Sequence, residues 1–162
     1  MEQETLIHAF IDNLSGLDSA LDQLNKLLIK EESALAEQKL EAIEVIAKEK
    51  HQLTAQVEQA EQLRQTHCTQ LQMTPDKKGL QQWLVNQPAN LRQQIAELWK
   101  RISYLGQKCN TQNQINGILV AHLQRHTQDA LSILRGAVTG QDSYSQKGAP
   151  ENKQQQKIIA KA

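Results

Sequence analysis

Residues 74–88 read TPDKKGLQQWLVNQP and form the clearest interruption in this chain of 162 residues. Pro75 disfavours a helical conformation at the residue before it, and Gly79 is typical of a turn. Pro88 ends the stretch and suits the first position of a new helix. The pattern predicts a turn and a short helix over 73–87, with one long helix on each side.

The chain before this stretch has the apolar spacing of a long helix. From Ile7 to Leu28, apolar residues recur in steps of three and four, which is a heptad pattern that requires a partner helix. No proline occurs in this part of the sequence. We therefore predict one helix over about 2–72 and leave open a bend near Gly16 or Glu31.

The chain after the interruption repeats the same spacing. Apolar residues from Leu91 to Ile133 keep the steps of three and four, which predicts a second long helix over 88–135. Gly136 is a plausible stop. The remaining residues, 137–162, are rich in Gly, Ser, Gln, Asn and Lys, which predicts a flexible tail.

These segments predict an all-α fold: an elongated antiparallel helical hairpin, packed like a coiled coil, in a domain over 1–136. The apolar fraction of 39% and the aromatic fraction of 3% suit long helices with a narrow apolar stripe. A straight first arm would exceed the second by about 22 residues and leave an apolar stripe uncovered. That stripe would fold back, receive another protein, or support self-association of two copies through Ile7, Phe10, Leu14, Leu17 and Leu21.

The charge pattern argues against two classes of partner. The formal net charge is zero, so no overall attraction to nucleic acid is expected. Residues 1–72 carry 13 acidic and 6 basic side chains, whereas residues 73–162 carry 5 and 12. These opposite signs favour pairing of the two arms. The acidic first amphipathic stretch and the lack of a long apolar run indicate no membrane insertion.

No residue pattern indicates catalysis, a cofactor or a metal. His122 and His126 are four residues apart on a helix, but no third ligand lies nearby in the sequence. Cys109 lies among apolar positions, where a thiol behaves as a small hydrophobe. The acidic start of the chain lacks the basic region of a secretory signal. We therefore expect a cytoplasmic binding protein rather than an enzyme.

Polar residues interrupt the apolar face of the second helix at Gln112, Asn116 and His126. One interpretation is that they control the register of the hairpin, because buried polar groups require partners. The other is that this face does not pack internally and instead contacts another protein. The residue pattern leaves both interpretations open.

Two segments resemble the FlgN family of flagellar export chaperones, and a third resembles it more loosely. Residues 27–35, LLIKEESAL, are similar to a Leu-rich element of the family's first helix that continues Glu, then Ala-Leu. Residues 113–119, NQINGIL, resemble an Asn-x-x-Asn-Gly-aliphatic element, and Tyr144 to Gly148 is a looser match to the family's tail.

This resemblance implies a cytosolic chaperone that binds the hook–filament junction proteins FlgK and FlgL, prevents their premature association and delivers them to the flagellar type III export apparatus. It also implies that the client binds the C-terminal region. From the apolar side chains and Gly117 there, we expect client contacts at Ile115, Asn116, Gly117, Ile118, Leu119, Leu123, Leu131 and Leu134. The alternative is a structural coiled-coil scaffold or a stalk component of the export apparatus.

Overall fold

The computed structural model describes the backbone of residues 2–145 and the side chains of residues 3–137. Four helices follow in order: α1 (Glu2–Ala36), α2 (Leu40–Gln70), α3 (Lys77–Val85) and α4 (Ala89–Ser145). No strand occurs in the described part of the chain. The all-α prediction is therefore confirmed. The chain divides into a compact unit, Met1–Val120, and a second unit that begins at Ala121.

The single helix predicted over 2–72 is wrong, because the chain breaks after Ala36 and begins α2 at Leu40. Gln38 adopts a left-handed conformation with φ of 54°. The amide of Lys39 donates to the carbonyl of Ala34 at 3.0 Å, and that of Gln38 donates to Leu35 at 3.2 Å. These two bonds form a Schellman motif, which usually has glycine at the left-handed position. Because glutamine is not typical of this position, the sequence pattern did not predict that α1 ends here.

A second helix end lies just before the interruption at 74–88, and a new helix begins within it. Gln72, with φ of 56°, ends α2 with the same pair of bonds, including Met73 to the carbonyl of Cys68 at 2.9 Å. The carboxylate of Asp76 then caps α3 by accepting from the amide of Gly79 at 3.0 Å. Hydrogen bonds from the Thr74 hydroxyl and the Gly79 amide hold the pKa of Asp76 below its ordinary value.

In the first unit, α1 contacts both α2 and the first part of α4. The Asn13 side chain donates to the carbonyl of Ala60 at 3.0 Å, and Lys50 pairs with Glu31, so α1 and α2 are antiparallel. Arg101 of α4 pairs with Asp18 at 2.8 Å, and Asn116 bonds the carbonyl of Leu28, so α1 and α4 are parallel. The hairpin is thus made by α1 and α2, and α4 packs beside α1.

This packing buries the apolar stripe at the start of α1. Phe10 is 1% exposed and Leu14 is fully enclosed. Helices α2, α3 and α4 supply their core neighbours, among them Cys68, Leu80 and Ile95. Of the three outcomes left open for this stripe, folding back is the one that the structure shows, and self-association is not, since the members of the stripe belong to the core or pack against it: Ile7, Phe10, Leu14, Leu17 and Leu21. Of these five side chains, Ile7 is only partly buried.

A buried arginine joins the helices near α3. The Arg64 guanidinium forms two bonds of 2.7 Å with the carboxylate of Glu61 and donates to the carbonyl of Pro75 at 3.0 Å. It also lies over the ring of Trp99 on α4, 4.9 Å from the ring centroid. Because Arg64 is 6% exposed, these contacts satisfy a charge that would otherwise be costly to bury.

The predicted end of the second long helix at 135 is also wrong, because α4 continues through Gly136 to Ser145. No described glycine has a positive φ, so Gly136 does not form a left-handed helix end. A single interior glycine costs about 1 kcal/mol and does not remove a hydrogen bond. The rest of the predicted flexible tail, 146–162, lies outside the described residues. Among the helices described, none is long and apolar enough to span a membrane.

We predict opposite effects for the same substitution at two glycines. A Cβ at Gly79 would overlap both the hydroxyl oxygen and the carbonyl oxygen of Thr74. Gly79→Ala should therefore lower the free energy of unfolding by about 1–3 kcal/mol. A Cβ at Gly16 meets nothing within 4 Å, so Gly16→Ala should raise it by about 0.5–1 kcal/mol. Urea unfolding measures both, and equal effects would contradict this account of the turn.

We also predict that Glu61 contributes to stability above acidic pH. Its hydrogen bonds with Arg64 lower the pKa of Glu61 in the folded chain below its ordinary value. A lowered folded pKa gives stability that is present above the unfolded pKa and lost as the pH falls through the folded one. Glu61→Gln should lower stability by about 1 kcal/mol at pH 7, since Glu61 is partly exposed, and this difference should shrink in acid. The exposed Glu58→Gln serves as the control for urea unfolding at both pH values.

Candidate binding surface

Asn116 is one of the polar residues that interrupt the apolar face of α4, and its side chain points into the protein. Its side chain is 2% exposed, and its amide nitrogen donates to the carbonyl of Leu28 at 2.8 Å and to the carboxylate of Glu31 at 2.7 Å. Its oxygen accepts from the side chain of Gln112 at 3.1 Å. Every polar atom of this side chain therefore has a partner, as burial requires.

These bonds belong to a larger group of side chains on three helices. Lys50 of α2 donates to both carboxylate oxygens of Glu31, at 3.1 and 3.0 Å. Gln112 donates to the carboxylate of Glu32 at 2.7 Å. We call this group the polar cluster: Glu31, Glu32, Lys50, Gln112 and Asn116. The polar cluster fixes the position of α4 along the axis of α1, because a shift by one helical turn would leave buried polar groups without hydrogen-bond partners.

The polar cluster joins the two segments that carry the family resemblance. Glu31 and Glu32 lie in the segment 27–35, and Asn116 lies in the segment 113–119. The two segments are far apart in sequence, yet their side chains bond directly at 2.7 Å. Of the two interpretations of the polar residues, register control accounts for Gln112 and Asn116, whereas His126 is exposed.

The remaining expected contact residues of the first unit are available to solvent to different degrees. Ile118 is 61% exposed and Ile115 is 39% exposed, whereas Leu119 is half-buried. Gly117 is exposed, and a Cβ added there would meet nothing within 4 Å. Asn116 is the exception, because it is enclosed and fully bonded within the chain. We therefore leave Asn116 out of the contact surface.

The second unit presents apolar side chains on the later part of α4. Leu131 and Leu134 are 48% and 63% exposed, and Leu123 is half-buried. Ile133 is 72% exposed, although it was not among the expected contact residues. The heptad spacing of α4 includes Ile133, so the sequence contained that signal. Apolar side chains at this spacing form the kind of surface that binds another helix.

Two histidines and two cysteines are the remaining residues that could bind a metal or react. His122 and His126 are exposed, and no group of three His, Cys, Asp or Glu side chains in the described residues could hold a metal ion. Cys68 and Cys109 are both buried free thiols. Burial raises the pKa of each thiol, which disfavours the reactive thiolate. Both thiols act as core side chains.

The helices, the polar cluster and the exposed apolar residues of α4 define an all-α protein that presents apolar side chains at helical spacing. The sequence profile of the family described as FlgN protein matches residues 1–152. The chain therefore belongs to the FlgN family, which is a family of flagellar type III export chaperones. Comparison with curated proteins and comparison with solved structures each returned no match.

We predict that Ile118 can become polar without loss of stability. Its side chain is 61% exposed, so Ile118→Gln should change the free energy of unfolding by less than about 0.5 kcal/mol. Leu105 on the same helix is 6% exposed, and Leu105→Gln should cost about 3 kcal/mol or more. Urea unfolding of both variants measures the difference. A large loss at Ile118 would show that its side chain is covered.

Proposed function

We propose that this chain is a cytoplasmic chaperone for the hook–filament junction proteins FlgK and FlgL. It binds a terminal segment of either client, prevents premature association, and delivers the client to the flagellar export apparatus. It carries out no catalytic step. Membership of the FlgN family supports the chaperone role. The observation that carries the proposed site is the exposure of Ile118, Leu131 and Leu134 on α4.

The proposed binding mode is helix against helix. Exposed Leu131 and Leu134 are three residues apart, so they lie on one side of α4. An amphipathic segment of the client can fold against such a surface and place its own apolar residues there. Ordering that segment costs about 2–5 kcal/mol, which keeps the affinity moderate. A moderate affinity suits a chaperone that must release its client at the export apparatus.

The test begins with a pull-down from cytosol and identification of the bound protein by mass spectrometry. FlgK or FlgL is the expected client. A partner that remains bound permanently, such as another export-apparatus component, would instead favour a scaffold. Calorimetry with a synthetic C-terminal peptide of the client then measures the affinity for the purified chain.

We predict that Leu131→Asp with Leu134→Asp abolishes peptide binding while the melting temperature changes little. Two carboxylates would replace exposed apolar contacts, and the core would be unaffected. Gln128→Asp with Ser132→Asp is the matched control, because both positions are exposed and the added charge is the same. Unchanged affinity in the leucine variant would place the site elsewhere. Equal loss in both variants would indicate a charge effect instead of a contact surface.

A further inference from the structure

Helix α4 covers two polar side chains and exposes two isoleucines between residues 112 and 118. Asn116 is 2% exposed and Gln112 is half-buried, whereas Ile115 and Ile118 are 39% and 61% exposed. An amphipathic helix usually buries its apolar side chains and exposes the polar ones. These four positions do the opposite, although Ile102, Leu105 and Cys109 of the same helix are buried in the usual way.

Apolar burial by itself would favour a different rotation of this segment. Neighbouring helical residues are separated by about 100° around the axis, so a rotation of that size would turn Ile115 inward in place of Asn116. Asn116 is the one buried residue of α4 between Cys109 and Ala137. Leu119 is half-buried, so beyond Cys109 no enclosed apolar side chain of the described part of α4 holds the observed rotation. From Cys109 onward, other interactions must contribute to holding it.

Hydrogen bonds to α1 supply that interaction. Asn116 donates to the carbonyl of Leu28 at 2.8 Å and to Glu31 at 2.7 Å, and Gln112 donates to Glu32 at 2.7 Å. Bonds to carboxylates are among the stronger hydrogen bonds in proteins. All three bonds start from the inward side of α4. They would break if the segment rotated toward Ile115.

We propose that Asn116, assisted by Gln112, is a positioning residue that holds this rotation and thereby keeps Ile115 and Ile118 on the surface for a client. The step from rotation to client binding rests on the proposed function. Asn116 itself touches no client. The presence of Gly117 is consistent with this role, since no neighbouring atom requires a glycine there. An interior glycine weakens the helix locally, so the segment depends more on its bonds to α1.

The first experiment measures the rotation without any client. Ile115→Cys introduces a thiol at the exposed position, and its rate of reaction with a maleimide reports whether that position faces solvent. The two native thiols are buried, and burial raises the pKa of each, so their background reaction is slow. In this background, Asn116→Ala removes the two bonds that Asn116 makes to α1. Glu31 keeps its partner Lys50, so no buried charge is left unpaired.

We predict that Asn116→Ala lowers the labelling rate at position 115 about fivefold, because the segment turns this position inward. Asn113→Ala makes the same change at an exposed position of the same segment and should leave the rate unchanged. Asn116→Leu should restore the rate, since a buried leucine holds the same rotation through apolar packing. An unchanged or increased rate in Asn116→Ala would overturn the proposal, because an increase means that the segment only loosens.

The second experiment links the rotation to binding. With the C-terminal peptide of the client, Asn116→Ala should weaken affinity about fivefold, and Asn116→Leu should restore it. Absence of binding by the unaltered chain would contradict the proposed function, while the labelling result would still stand. Equal affinities for the unaltered chain and Asn116→Ala, with altered labelling, would overturn the role of this rotation in client contact.

Discussion

The apolar stripe of α1 must be covered on two sides, and the first unit depends on how the chain achieves this. Phe10, Leu14 and Leu28 are each no more than 2% exposed, so α1 lies between other helices along most of its length. Helix α2 covers one side because the chain reverses at Gln38. Helix α4 covers the other, and its Arg101 pairs with Asp18. Burial of apolar surface is the main favourable term that offsets the left-handed Gln38.

The two ends of this unit are held by different chemistry. Near α3, Arg64 bonds Glu61 and Pro75 and lies over Trp99, so a single buried cation joins α2, the loop and α4. At the other end, Asn116 bonds Leu28 and Glu31. Both arrangements give partners to buried polar side chains, and both are directional. Apolar packing determines that the helices associate. These directional bonds determine how far each helix is shifted along its neighbour and how it is rotated about its own axis.

The separation of buried from exposed apolar side chains on α4 explains how a chaperone can present apolar residues and remain well folded. Side chains that stabilise the first unit, such as Ile95 and Leu105, are buried. Side chains proposed for client binding, such as Ile118 and Leu134, contribute little to folding because they are exposed. Stability and the proposed client binding therefore depend on different residues of α4. A surface of this kind can accept and release a client without unfolding the chain.

The heptad spacing determined by itself that the chain is helical, because a repeat in steps of three and four suits one face of a helix. The residues 74–88 likewise determined the main interruption, through proline and glycine chemistry. The break at Gln38 was decided only in the tertiary structure, where covering α1 outweighs the cost of a left-handed glutamine. The position of Asn116 was decided there too. Its spacing shows that it lies on the apolar face, but its partners, Leu28 and Glu31, come from a distant helix.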